Sequence, residues 1–111
     1  MSIHNVSKRL FHKTNTVIVG AKRTAIGSFM GAFKDLSATH LGTIAAKAAL
    51  ASCNVDAKDV QEVLLGQVLQ AGSGQAPDRQ VVLGIGCQND TPSTLINKVC
   101  ASGMKSVMMA S

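Results

Sequence analysis

Apolar and polar positions alternate along the chain in short blocks whose spacing names their structure. Thr16–Gly20 reads Thr-Val-Ile-Val-Gly, a β-branched run closed by glycine, and predicts a buried strand. Ala21–Phe33 carries Gly27 and Gly31 and predicts a loop. Leu41, Ile44, Ala45, Ala48 and Ala49 then recur at helical spacing. Ser37 or Thr39 supplies an N-cap oxygen, and Asn54 ends the helix. Ala57–Val60 adds a helical turn. Val63–Leu69, apolar on both faces apart from Gln67, predicts a second strand.

Gly72–Pro77 reads as a loop, and Pro77 suits the first turn of a helix, where its missing N–H costs nothing. That helix runs from Asp78 to about Leu83 and stops at Gly84 or Gly86. Asn89–Pro92 predicts a turn and Ser93–Val99 a third strand. From Ala101 a last helix places Met104, Val107 and Met108 on one face. The order β-α-β-α-β-α predicts a layered α/β fold. Val107-Met108-Met109-Ala110-Ser111 carries no helix stop, so the expectation is the front part of a larger protein.

Composition narrows the class. A chain of 111 residues holds one small domain at most. With 46% hydrophobic residues, 15% charged, no Trp or Tyr and three Phe, its core must be aliphatic. No apolar run reaches the ~18 residues of a membrane span. The net charge of +5 is unevenly spread. Residues 1–34 carry six basic side chains and no acid, whereas residues 35–111 carry five basic against six acidic. A basic leader on a near-neutral body, without aromatics for base stacking, excludes a nucleic-acid-binding stripe. Residues 1–15, acid-free and amphipathic if helical, have the composition of a mitochondrial transit segment. An N-terminal tail with incidental charge is the plainer alternative.

Cys53, Cys87 and Cys100 show no CxxC spacing and are odd in number, which fits reduced thiols. With His4, His12 and His40 they form no zinc pattern. Cys100 stands where the third strand meets the last helix. Unpaired N–H groups at a helix start favour a thiolate there. From the residues alone, a buried inert cysteine is the plainer reading. Cys53 and Cys87 read as structural or incidental. Gly72-x-Gly74 lacks the third glycine of a dinucleotide loop, since Pro77 takes its place. Arg79 and Gln80 are candidates for anchoring that loop. His40 reads as a surface or first-turn residue.

Asn97-Lys98-Val99-Cys100-Ala101-Ser102-Gly103-Met104-Lys105 closely resembles the nucleophile motif of thiolases, nearest to their acetyl-CoA acetyltransferase branch. Val17-Ile18-Val19 leading into Arg23-Thr24-x-Ile26-Gly27-Ser28-Phe29 resembles the family's opening strand and loop. Gly66–Gln70, followed by Gly72-x-Gly74-Gln75-Ala76-Pro77-x-Arg79-Gln80, resembles its second strand and loop. The resemblance spans about residues 16–111. It implies a layered α/β/α fold with a mixed sheet, of which this chain holds the first part of the N-terminal domain.

The resemblance also implies chemistry. Cys100 would be the acyl-accepting nucleophile. Two acetyl-CoA would condense to acetoacetyl-CoA and CoA, or the reverse thiolysis would run. Coenzyme A thioesters would be substrates, with no cofactor and no metal. The full-length protein would be a homo-oligomer, dimer or tetramer, in the mitochondrial matrix, with no nucleic-acid partner. The family's activating histidine, second cysteine, enolate-binding histidine and most CoA contacts lie in its second half and map to nothing here. The alternative is therefore a truncated, non-catalytic chain that at most associates with full-length subunits. Alone, the 111-residue chain is expected to be marginally stable and inactive.

Overall fold

The computed structural model describes residues 16–111, so the transit segment expected at residues 1–15 lies outside the described residues. Helix α1 spans Ala38–Cys53. Ser37 caps it: its Oγ accepts the His40 N–H at 3.1 Å. Asn54 closes it in the left-handed conformation at φ 55°. A short 3₁₀ turn, Ala57–Asp59, is capped by Asp56, whose carboxylate accepts the Lys58 N–H at 3.0 Å. Strand β1 is Val63–Gly66, helix α2 is Pro77–Ile85, strand β2 is Ser93–Ile96, and helix α3 is Ser102–Met109.

β1 and β2 pair in parallel, with Val63 opposite Ser93 and Gly66 opposite Ile96. Parallel neighbours need a crossover, and α2 is that crossover. α2 lacks a side-chain cap at Ala76, which Pro77 makes tolerable because the proline has no N–H to leave orphaned. Gly86 ends α2 at φ 93°, as one of the two glycines named for this end.

The pleat of β1 sets the layers. Val63 and Leu65 pack on a buried cluster of Val81, Val82, Ile85 and Cys87, which also takes Ala46 and Leu50 of α1. Leu64 faces the other way, lining a groove with Ser106, Val107 and Met109 of α3. Alternate residues of a strand point to opposite faces. Hence α2 covers one face of the sheet, with α1 outside it, and α3 covers the other. This is the expected α/β/α layering. The two described strands show its parallel part.

Gly66 is what lets α3 sit so close. A Cβ there would stand 2.6 Å from the Gly103 nitrogen and 2.7 Å from the Ser102 carbonyl carbon. A side chain on Gly103 would meet nothing within 4 Å. The glycine required for close backbone approach is therefore Gly66, not Gly103.

Three elements differ from expectation. Thr16–Gly20 forms no strand, and Ile18 is 80% exposed. Its β-branched residues favour extended backbone, but a strand also needs a neighbour's N–H and C=O groups. Among the described residues, β1 pairs only with β2. The segment instead ends against α1: a Cβ on Gly20 would lie 3.1 Å from the Ala49 carbonyl oxygen. β1 stops at Gly66 rather than Leu69. The Gln67 N–H still donates to the Ile96 carbonyl at 3.0 Å. Beyond it the Gln67 amide donates to the Leu69 carbonyl at 2.8 Å and the Gln70 amide to the Gln67 carbonyl at 2.9 Å. These local bonds fold the backbone away from the ladder. β2 stops at Ile96 rather than Val99, because the Asn97 side chain captures the Val99 N–H.

Candidate active site at the turn before Cys100

Between β2 and α3 the chain reverses in five residues, Asn97–Ala101. Many of their backbone groups are satisfied locally. The Ala101 N–H donates to the Lys98 carbonyl and the Ser102 N–H to the Val99 carbonyl, both at 3.1 Å. Asn97 Oδ1 accepts the Val99 N–H at 3.0 Å, and its Nδ2 donates to the Val68 carbonyl at 3.4 Å, tying the turn to the loop after β1. Ser102 Oγ accepts the Lys98 N–H at 2.9 Å and donates to the Val99 carbonyl at 2.6 Å.

Val99 occupies the left-handed region at φ 51°. For a β-branched residue this conformation is a genuine outlier, because its Cβ crowds the following carbonyl. Such strain persists only where surrounding bonds over-determine it, and it gathers at functional sites.

The turn delivers Cys100, exposed, immediately before α3. It stands at the carboxyl end of a parallel strand and at the start of a helix. Open α/β sheets bind ligands outside the carboxyl ends of their strands. The first N–H groups of α3 give this end positive potential. A thiol here can attack a carbonyl carbon, with helix-start N–H groups near the oxygen that becomes negative.

The other two cysteines are placed for structure. Cys53 donates its S–H to the Ala49 carbonyl, S···O 3.2 Å, within α1. Cys87 is buried in the core cluster, and that burial pushes its thiol pKa up, against a backbone hydrogen bond and the Arg79 charge. His40 is exposed in the first turn of α1. Gln80 anchors the loop before α2, its amide donating to the Ser73 carbonyl at 2.9 Å and the Gln75 carbonyl at 3.0 Å. Arg79 anchors a different loop, donating to the carbonyls of Thr91 and Asn89. Among the described residues, no group of three His, Cys, Asp or Glu comes together to hold a metal ion, and no helix is long and apolar enough to cross a membrane.

Sequence reasoning missed the bracing roles of Asn97 and Ser102. Both are short polar residues beside a turn, the type that bonds nearby backbone. That signal is too common to single them out without the positive φ between them.

Residues 16–111 match the family model described as the thiolase N-terminal domain. The chain is 52% identical to acetyl-CoA acetyltransferase A, mitochondrial, of Xenopus laevis, over 98% of this chain and 27% of that protein. It is 56% identical to the mitochondrial acetyl-CoA acetyltransferase of Homo sapiens, over 86% of this chain and 22% of that one. Among solved structures, acetyl-CoA acetyltransferase from Syntrophomonas wolfei superposes with a TM-score of 0.81 at 35% identity, over 85% of this chain and 24% of its own. The chain thus spans about a quarter of the length of the relatives it matches. A family match along every described residue, with the same backbone over 85% of the chain, means that the chain belongs to the thiolase family.

Proposed function

We propose that residues 16–111 are the nucleophile-bearing part of an acyltransferase that condenses two acetyl-CoA to acetoacetyl-CoA and CoA, or runs the reverse thiolysis. The observation that carries this reading is the exposed Cys100 at the start of α3, directly after a strained and fully braced Val99. The relatives' names add the acetyl-CoA substrate, the acetyl transfer and the mitochondrion.

The Cys100 thiolate attacks the carbonyl carbon of the first acetyl-CoA. A tetrahedral oxyanion forms, and collapse expels the CoA thiolate, which takes up a proton. The products are S-acetyl-Cys100 and CoA. One thioester has replaced another, so the step is close to balanced in energy and reverses readily. A second acetyl-CoA then loses a Cα proton to a base in the rest of the enzyme. Its carbanion attacks the acetyl carbonyl, the new C–C bond forms, and the Cys100 thiolate leaves. Every electron pair is accounted for by thiolate, carbonyl and base, and the CoA thioesters enter as substrates. In the full-length protein we assign a homo-oligomeric enzyme of the mitochondrial matrix.

The test is Cys100→Ser in the full-length protein. Turnover is expected to fall by at least about 1,000-fold, since removing a nucleophile abolishes a covalent route. Thermal unfolding should be unchanged, because Cys100 is exposed. Mass spectrometry of the parent after incubation with acetyl-CoA should find the acetyl group on Cys100. Turnover retained by the variant overturns the reading.

A further inference from the structure

The turn before the nucleophile contains one residue, Val99, whose two backbone polar groups are both held by neighbouring residues. Ser102 Oγ accepts the N–H of Lys98, the residue before Val99, at 2.9 Å. The same oxygen donates to the Val99 carbonyl at 2.6 Å, and the Ser102 N–H reaches that carbonyl at 3.1 Å. Asn97 Oδ1 takes the Val99 N–H. Both polar groups of the Val99 backbone are therefore engaged, the N–H by Asn97 and the carbonyl by Ser102, whose hydroxyl also holds the preceding Lys98 N–H. Ser102 is only 4% exposed, so water does not compete for its hydroxyl.

Val99 gains little from packing that would hold it at φ 51°, since its side chain is 66% exposed. What keeps it there is the hydrogen-bond bracket. The next residue is Cys100, so the direction of the Cys100 Cα–Cβ bond follows from the Val99 torsion. Ser106, one turn along α3, makes a useful contrast. It is also buried, but its hydroxyl donates to the Ser102 carbonyl and touches neither Lys98 nor Val99.

We propose that Ser102 is a positioning residue: its hydroxyl clamps Val99 in the left-handed conformation and so aims the Cys100 thiol at the incoming thioester. The proposal rests on Cys100 being the nucleophile. It assigns Ser102 no contact with substrate.

The experiment measures first-turnover acetyl transfer from acetyl-CoA to Cys100 by mass spectrometry, in the full-length protein. Alkylation of the buried Cys87 by iodoacetamide is followed in parallel as a report on core opening. Ser102→Ala is expected to slow acetyl loading by roughly 10- to 100-fold, the cost of misplacing a reacting group by about an ångström. Cys87 should stay as protected as in the parent. Ser102→Thr, which keeps the hydroxyl, should restore most of the rate, and Ser106→Ala should leave loading unchanged. In a Val99→Gly background the left-handed turn is free of strain, so Ser102→Ala should cost less than about threefold there, a coupling that only shared action on one element produces.

Equal loading in Ser102→Ala and the parent overturns the clamp. So does a loss of loading that Cys87 alkylation tracks step for step, or a Ser102→Ala penalty undiminished beside glycine. No acetyl on Cys100 in the parent overturns the nucleophile reading and the clamp together. The two failures are therefore told apart in one series.

Discussion

Val99 stores strain that its own side chain does nothing to repay. Its left-handed backbone costs about 1–2 kcal/mol in an L-residue with a Cβ, and its side chain is largely exposed. Val99→Gly relieves that strain, while a looser unfolded chain takes back about 0.4–1 kcal/mol. The variant is expected to be at least as stable as the parent by calorimetry. A loss of stability would show that Val99 is not strained. Cys87 gives a pH prediction of definite sign. Burial raises its thiol pKa in the fold, with a backbone hydrogen bond and Arg79 opposing. Its contribution is fully present below the ordinary thiol pKa and is lost as pH rises through the folded value. Cys87→Ala should therefore flatten the alkaline fall in stability while lowering stability near neutral pH. An unchanged alkaline limb in urea titrations would contradict this.

At the scale of elements, α3 is held to the sheet by backbone proximity rather than by side chains. Its buried residues are the two serines, Ser102 and Ser106, while Met104 and Met108 are exposed. Gly66→Ala puts a methyl group where the Gly103 nitrogen and Ser102 carbonyl carbon stand. Neither is a flexible side chain, so strand and helix must part. The expected loss is about 1–3 kcal/mol, and Cys100 should lose acetyl loading because its helix moves. A neutral Gly66→Ala would show that α3 sits farther from β1. α1 depends on its cap. Ser37→Ala leaves the His40 N–H unpartnered and should cost about 1 kcal/mol, read from the thermal midpoint, without touching the turn at Cys100.

The whole molecule has a small core. Among the described residues its buried apolar side chains are Val81, Val82, Ile85, Cys87 and Ile96, with Pro77 beside them. Against them stand Ile18, Ile26, Phe29 and Leu69, each at least 80% exposed. So small a buried core, with so many large apolar side chains left outside it, stabilises the fold weakly. The 111-residue chain by itself is expected to unfold over a broad, weakly cooperative range and to bind hydrophobic dyes. A sharp two-state transition by calorimetry would overturn that expectation. The chain covers about a quarter of the length of the relatives it matches.

Local chemistry decides local structure, and those features were legible in the sequence. Ser37 and Asn54 bound α1 because a side-chain oxygen and a left-handed cap act within one turn. Pro77 and Gly86 bound α2 for the same reason. The linear motif around Cys100 marked the candidate nucleophile, since its residue types are themselves the signal. What required the tertiary structure was every property that depends on a distant neighbour. Thr16–Gly20 has the residues of a strand but no described strand beside it. Gly66 and Gly103 look alike in sequence, and only the approach of α3 decides which one must lack a Cβ. The positive φ of Val99, with Ser102 bracketing it, arises from β2, the turn and α3 meeting at once. Sequence carries propensities for single segments. Hydrogen-bond ladders, close contacts and strain belong to pairs of segments, and they exist only once the chain has brought those pairs together.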